Sequence, residues 1–262
     1  MFSLRPIKAA FLQQAIHFIM DPQWVLPSLV APFAFAVVSL FIFKDTEGPV
    51  ALYAVLGGGI LGMWGNTLYT SGWSVSFDRM NGTLETLMMT PTPLTQVIAG
   101  RAIFNCLVGL ANAFLVFVIA EFLLGSQMTI ADPGKFFLAL VLTLLSLSVV
   151  GLLFSGMFVF TRATTAIMQI VEFPIYIVSG AALPLIALPA ILWPISYAIG
   201  PSWGVDALRT SAGLEGGSPL GWGFEADILI MISITAIYVV LALLIFNSLD
   251  KKARTAGSLG RW

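Results

Sequence analysis

Two carboxylates sit where a charge is expensive. Glu172, in "QIVEFPIY", interrupts a long apolar stretch, and Glu121 lies near the outer end of another. A carboxylate inside a bilayer usually faces the bundle interior or a watery path. Glu172 therefore has two readings. It lines a route, or it is satisfied by a neighbouring helix and braces the break just before Pro174. Glu121 reads as an interfacial, structural group. Other chemistry is sparse. The single Cys106 can form no internal disulfide, and one thiol with the single His17 makes a poor metal site. Cys106 lies in an apolar run and reads as a small core residue. GxxxxGK[ST], HExxH, GxSxG and paired-cysteine motifs are all absent, so the chain cannot bind ATP through a phosphate loop of that kind.

The polar stretch "DRMNGTLETLMMTPTPLTQVIAGR", Asp78 to Arg101, is a different matter. Asn81-Gly82 supplies a turn, and Leu84, Leu87 and Met88 then share one face of a short helix. Pro91 stops that helix. Thr92-Pro93 starts the next, with Thr as N-cap and Pro at the first helical position. Such a short helix between two sharp turns suits docking of a partner better than catalysis. The alternative is an ordinary loop. "NGT" at Asn81 also matches a glycosylation sequon, which a cytoplasmic location leaves unused.

The elements that position this stretch follow from composition. The 262 residues are 58% hydrophobic and 10% charged, with a mean hydropathy of +0.97. Soluble domains carry roughly a quarter charged residues, so this chain reads as an integral membrane protein. Its net charge of -1 and scattered basic residues leave no nucleic-acid footprint. Residues 1–23 lack the compact apolar core and small-residue site of a cleavable signal.

Six charge-free runs are candidate crossings: Pro22–Phe43, Gly48–Phe77, Ala102–Ala120, Phe136–Thr161, Phe173–Val205 and Ile228–Leu249. With the N-terminus inside, nine basic residues fall on the inner side and three (Lys44, Lys135, Arg209) on the outer. That balance fits the positive-inside rule, and a seventh crossing would spoil it. The stretch 163–205 is too long for one crossing and is broken by five prolines. It reads as one crossing followed by a re-entrant hairpin over 183–201.

Residues 1–21 read as an amphipathic helix at the cytoplasmic membrane surface, with Leu4, Ile7, Phe11, Ala15 and Phe18 as the apolar stripe. Gln13, His17 and Asp21 cluster on the other side, and Arg5 and Lys8 flank the stripe. Residues 206–227, rich in glycine and acid, read as an external loop. The predicted fold is thus an all-α polytopic membrane protein, a single domain over 1–262.

The 78–101 stretch resembles the segment after the second span in ABC-2 type permeases, the membrane subunits of a class of ABC exporters. "SGAALPLIALPAILWPISYAIGPSWGVDALR", Ser179–Arg209, is similar to a second region of that family, and the order and separation of the two agree. Two departures stand out: Asn81 where a second acid is common before the glycine, and Leu183 where an aromatic is usual. The resemblance implies a permease of an ATP-driven exporter, without its own ATPase site, in the cytoplasmic membrane of a prokaryote. No cofactor is expected on this chain itself. ATP and Mg are expected on two partner ABC ATPase subunits, beside a second permease subunit, identical or not. Residues 78–97 would carry the coupling helix, with Gly82, Thr83, Leu84 and Glu85 in contact with the ATPase and Arg79 as polar support. Pro184, Pro189 and Pro194 would close the outer end of the pathway. The charge-poor spans suggest an amphiphilic or hydrophobic cargo such as a drug, antibiotic or lipid-linked molecule. Export of a polysaccharide or lipo-oligosaccharide is the near alternative, and an ion-coupled transporter running on Glu172 and Glu121 the distant one.

Overall fold

The computed structural model describes residues 4–20, 50–65, 77–90, 92–124, 130–158, 174–181, 185–214 and 222–256, with isolated positions between 25 and 41 and at 170. Helix is the only regular structure among them. The elements are α1 (Leu4–Met20), α2 (Val50–Trp64), α3 (Thr83–Met89), α4 (Leu94–Leu124), α5 (Pro133–Phe158), α6 (Trp193–Ala198), α7 (Gly200–Ser211) and α8 (Phe224–Ala256). A charge-poor chain that cannot hydrogen-bond lipid must satisfy its backbone within helices.

Three helices among the described residues are long and apolar enough to cross a membrane: Leu94–Val118 of α4, Pro133–Gly156 of α5 and Phe224–Ser248 of α8. At 1.5 Å per residue, 25 residues extend about 38 Å, more than a hydrocarbon core of about 30 Å. Of the other three predicted crossings, 22–43 lies mostly outside the described residues. Run 48–77 is represented by the 15 residues of α2, and 173–205 is broken into short pieces.

α5 and α8 run parallel. Lys135 lies over the Phe224 ring, Ser146 bonds Thr235, and Gly156 packs on Ile245 and Phe246. α4 is antiparallel to both, since Phe117 near its end meets Phe136 near the start of α5. Its start, Leu94 and Ile98, clusters with Phe246 near the end of α8.

The groove between α5 and α8 is filled by α7, which the sequence reading placed partly in an external loop. Residues 206–211 are instead helical and mostly buried. Gly200 lies against Ser146 and Thr235, Gly204 against Thr143 and Met231, and Ser211 accepts a bond from the Asp132 amide. α7 thus runs antiparallel to α5 and α8, from mid-helix up to their N-terminal ends. It ends at Gly213, φ 84°, where the Leu214 amide bonds the Arg209 carbonyl and the Gly213 amide bonds that of Thr210. These are the closing bonds of a helix C-cap around a left-handed residue.

The piece before α7 is made of 3-10 turns, Leu185–Ala187 and Ala190–Leu192, followed by α6. Pro189 precedes the second turn and Pro194 sits in the first turn of α6, where a missing amide hydrogen costs nothing. Side chains take over the freed carbonyls: Trp193 Nε1 donates to those of Leu185 and Leu188, Trp203 Nε1 to Tyr197, and the Tyr238 hydroxyl to Ala198. Pro184 and Glu172 lie outside the described residues, and Pro174 opens the helical residues 174–178.

Candidate functional site

The 78–101 stretch folds as its turn residues dictate. The Asn81 amide bonds the Phe77 carbonyl and the Gly82 amide that of Arg79. Gly82 then takes φ 68°, a left-handed conformation that glycine adopts without strain, and α3 begins. α3 ends where the Thr90 hydroxyl and amide both turn back to the Leu87 carbonyl, at 2.7 and 3.2 Å. Pro93 follows, and α4 starts at Leu94 with the Gln96 amide on the Pro93 carbonyl, 3.0 Å.

Two anchors fix α3 to the bundle. Leu84, 7% exposed, joins Leu94, Ile98 and Phe246, with Leu152 and Ile245 against them. The predicted apolar face thus packs on α4, α5 and α8 through Leu84. Truncation of Leu84→Ala is expected to weaken this docking by about 2–3 kcal/mol. Faster amide exchange over residues 83–89, with α4 and α8 unchanged, is the check.

The second anchor is an ion pair that sequence reasoning missed. Arg101 and Asp78, 4% and 5% exposed, pair side by side: Nη1 to Oδ2 at 2.5 Å and Nη2 to Oδ1 at 3.1 Å. Such a two-point guanidinium–carboxylate fork is the strong form of charge-assisted bond. Arg101 Nη2 also donates to Gln13 Oε1 at 3.2 Å, and the Thr83 hydroxyl reaches the Asp78 carbonyl and Oδ1 at 3.1 and 3.3 Å. One clasp therefore holds α1, the lead into α3, α3 itself and α4. Arg79, expected as the polar support, is only half-buried and has contacts of its own. The missed signal is that Asp78 and Arg101 close the two ends of one polar insert, so a hairpin brings opposite charges together.

α1 differs from its predicted arrangement too. Ile7, Phe11 and Phe18 of the supposed lipid stripe face α4: the Phe11 and Phe18 rings meet Phe104 edge-on at 5.5 and 5.7 Å, and Ile7 lies on Gly100. The polar side faces the clasp, through Gln13 on Arg101 and His17 against the Phe77 ring at 4.6 Å. A helix packed on α4 with these residues leaves a third side outward, carrying Leu12, Ile16 and Ile19.

The remaining candidates are scattered. Cys106 is half-buried against the main apolar core, which matches its bland reading. Glu121 lies in the last turn of α4. Among the described residues no group of three or more His, Cys, Asp or Glu is placed to hold a metal.

A short helix clasped between two turns sits at the end where α4 begins and α5 and α8 finish, and the broken segment ending in α7 lies between mid-helix and the N-terminal ends of α5 and α8. The ABC-2 type transporter family profile matches residues 5–212, which include both. The chain belongs to that family. No curated protein matches it. ABC-2 membrane chains are transport permease domains rather than ATPases, so this ABC-2 chain is a multi-pass membrane subunit of an ABC transporter. Membership implies association with an ABC ATPase and typically a permease partner. The clasp lies within the matched part of this ABC-2 chain, from Gln13 to Arg101.

Proposed function

We propose that this chain is the permease subunit of an ATP-driven exporter, with α3 as the helix through which a separate ATPase drives it. The observation that carries this is the mounting of α3. It is bound to α1 and α4 by the Asp78–Arg101 clasp and to α4, α5 and α8 by Leu84, while Met80, Asn81, Gly82, Thr86 and Met89 point outward. A short element with an exposed side and a firmly attached back delivers a push without absorbing it.

Glu85 and the outward side of α3 would meet the ATPase, where ATP and Mg bind, with Gly82 and Thr83 setting the turn and Arg79 beside it. Two permease subunits and two ATPases would form the complex. The six-crossing topology, with both termini inside, is supported by parity. α5 finishes at the α3 end, and the parallel α8 starts at the opposite end. The chain between them must make an odd number of passages, as one crossing plus a re-entrant hairpin does. α7, rising from mid-helix to the N-terminal ends of α5 and α8, suits the returning limb of that hairpin. Pro184, Pro189 and Pro194 would shape its outer gate, and Glu172 with Pro174 the break before it. The cargo would be amphiphilic or hydrophobic.

Purification from native membranes is expected to bring an ABC ATPase with the chain. Glu85→Ala should lower substrate-stimulated ATP hydrolysis while the protein stays folded and the ATPase stays bound. Unchanged coupling would remove Glu85 from the mechanism. Stimulation by hydrophilic glycans alone would turn the cargo assignment to polysaccharide.

A further inference from the structure

We propose that the outward face of α1 is a binding site for anionic phospholipid, with Arg5 and Lys8 on the headgroup and Leu12, Ile16 and Ile19 on the acyl chains. It rests on the reading of α1 as a membrane-surface helix and adds the chemical class of lipid. These five positions follow one another at intervals of three or four residues, so they form one stripe along the helix. All are exposed: Leu12 48%, Ile16 57% and Ile19 73%, with Arg5 and Lys8 open as well. The opposite face is already occupied, since Ile7, Ala10, Phe11, Gln14 and Phe18 lie on α4.

The charges on this stripe are one-signed. α1 contains no Asp or Glu, and neither Arg5 nor Lys8 has an ion-pair partner among the described residues. Both cations sit near the helix N-terminus, the end at which the macrodipole disfavours positive charge. Helix stability therefore does not explain their placement, and an external anion does. Long stems let both head groups reach a phosphate while the aliphatic residues that follow enter the acyl layer. In a multi-pass membrane chain, the surface beyond α1 that combines phosphate with hydrocarbon is a lipid leaflet, and two cations with no acid on the same helix favour headgroups of net negative charge. Basic residues near such a leaflet each strengthen attraction several-fold.

The test uses the full-length chain in nanodiscs of dioleoylphosphatidylcholine, with or without dioleoylphosphatidylglycerol. Phosphatidylglycerol is expected to raise the midpoint of thermal unfolding and to survive delipidation in native mass spectra. R5Q/K8Q should weaken its retention about thirtyfold, and R5K/K8R should restore it. Equal phosphatidylglycerol retention in wild type and R5Q/K8Q would overturn the proposal, as would an equal thermal shift from soluble glycerol phosphate. A nitroxide on Ile16→Cys in a Cys106→Ser background separates the two readings. Poor collision with oxygen would show that α1 is not on lipid and would sink both. Lipid-like collision without any phosphatidylglycerol preference would sink the headgroup site alone.

Discussion

Arg101→Gln is expected to be the most damaging polar substitution at the α3 end of this protein, lowering stability by roughly 3–5 kcal/mol. The cost comes less from the lost bonds than from what stays behind. Asp78 would keep a buried carboxylate with the Thr83 hydroxyl as a side-chain donor, and Gln13 would lose its guanidinium. Breaking a buried pair by removing one partner leaves an uncompensated charge, whereas removing both does not. Asp78→Asn/Arg101→Gln should therefore be milder than Arg101→Gln alone, with a coupling energy of about 1–3 kcal/mol in the double-mutant cycle. Arg101→Lys should fall between. An ammonium keeps the charge but cannot span both carboxylate oxygens and Gln13 in one plane. Chemical unfolding in detergent measures the series, and transport should fall with it because α1, α3 and α4 lose their common tie. If Arg101→Gln unfolds within about 0.5 kcal/mol of wild type, a range typical of surface changes, the clasp does not hold this end together.

The residues show why some of this architecture was legible and some was not. α3 could be read because it is specified locally: Asn81-Gly82 makes the entering turn and the Thr-Pro sequence the exit, whatever surrounds them. The long spans α4, α5 and α8 could be read because lipid leaves a charge-free run of about 20 residues few alternatives. The clasp could not be read from spacing, because Asp78 meets Arg101 and Gln13 only after α1 and α4 pack. α7 was misread for the opposite reason. Asp206 and Arg209 resemble loop charges, yet the helix is buried from Gly200 to Arg209 and the Arg209 guanidinium reaches the Ala181 carbonyl at 3.5 Å. Pro201 at its start and Gly213 just past its end were the helix signals, and they outweighed polarity. The α1 stripe failed in a third way. A helix with apolar residues on two faces has no unique amphipathic direction, so the pattern could not say which face meets protein.

Gly100→Ala is expected to undo the docking of α1 altogether, and it separates a packing role from a propensity effect. A Cβ at Gly100 would overlap the Ile7 carbonyl oxygen and lie 3.1 Å from the Ile7 carbonyl carbon and 2.9 Å from the Ala10 Cβ. Two of those atoms are α1 backbone, so no rotamer change relieves the clash and the helix as a whole must move. Close approach of helix backbones at a small residue is how membrane helices gain packing where lipid gives no hydrophobic push. Moving α1 away would separate the Phe11 and Phe18 rings from Phe104 and Gln13 from Arg101 together, so the loss should exceed the roughly 1–3 kcal/mol of ordinary overpacking. Ala10→Gly should not rescue it, because the Ile7 carbonyl remains in the way. Gly59→Ala in α2 is the control. There the nearest atom is the Val116 Cγ1 at 4.0 Å, an ordinary contact. Alanine also favours the helix by up to about 1 kcal/mol, so that variant should be as stable as wild type or more so. Amide exchange over residues 4–20 reads the outcome directly: Gly100→Ala should expose α1 while the α5 and α8 core stays protected. If α1 keeps its protection in Gly100→Ala, the clasp alone holds it. Arg101→Gln would then have to release α1 by itself, which the same measurement decides.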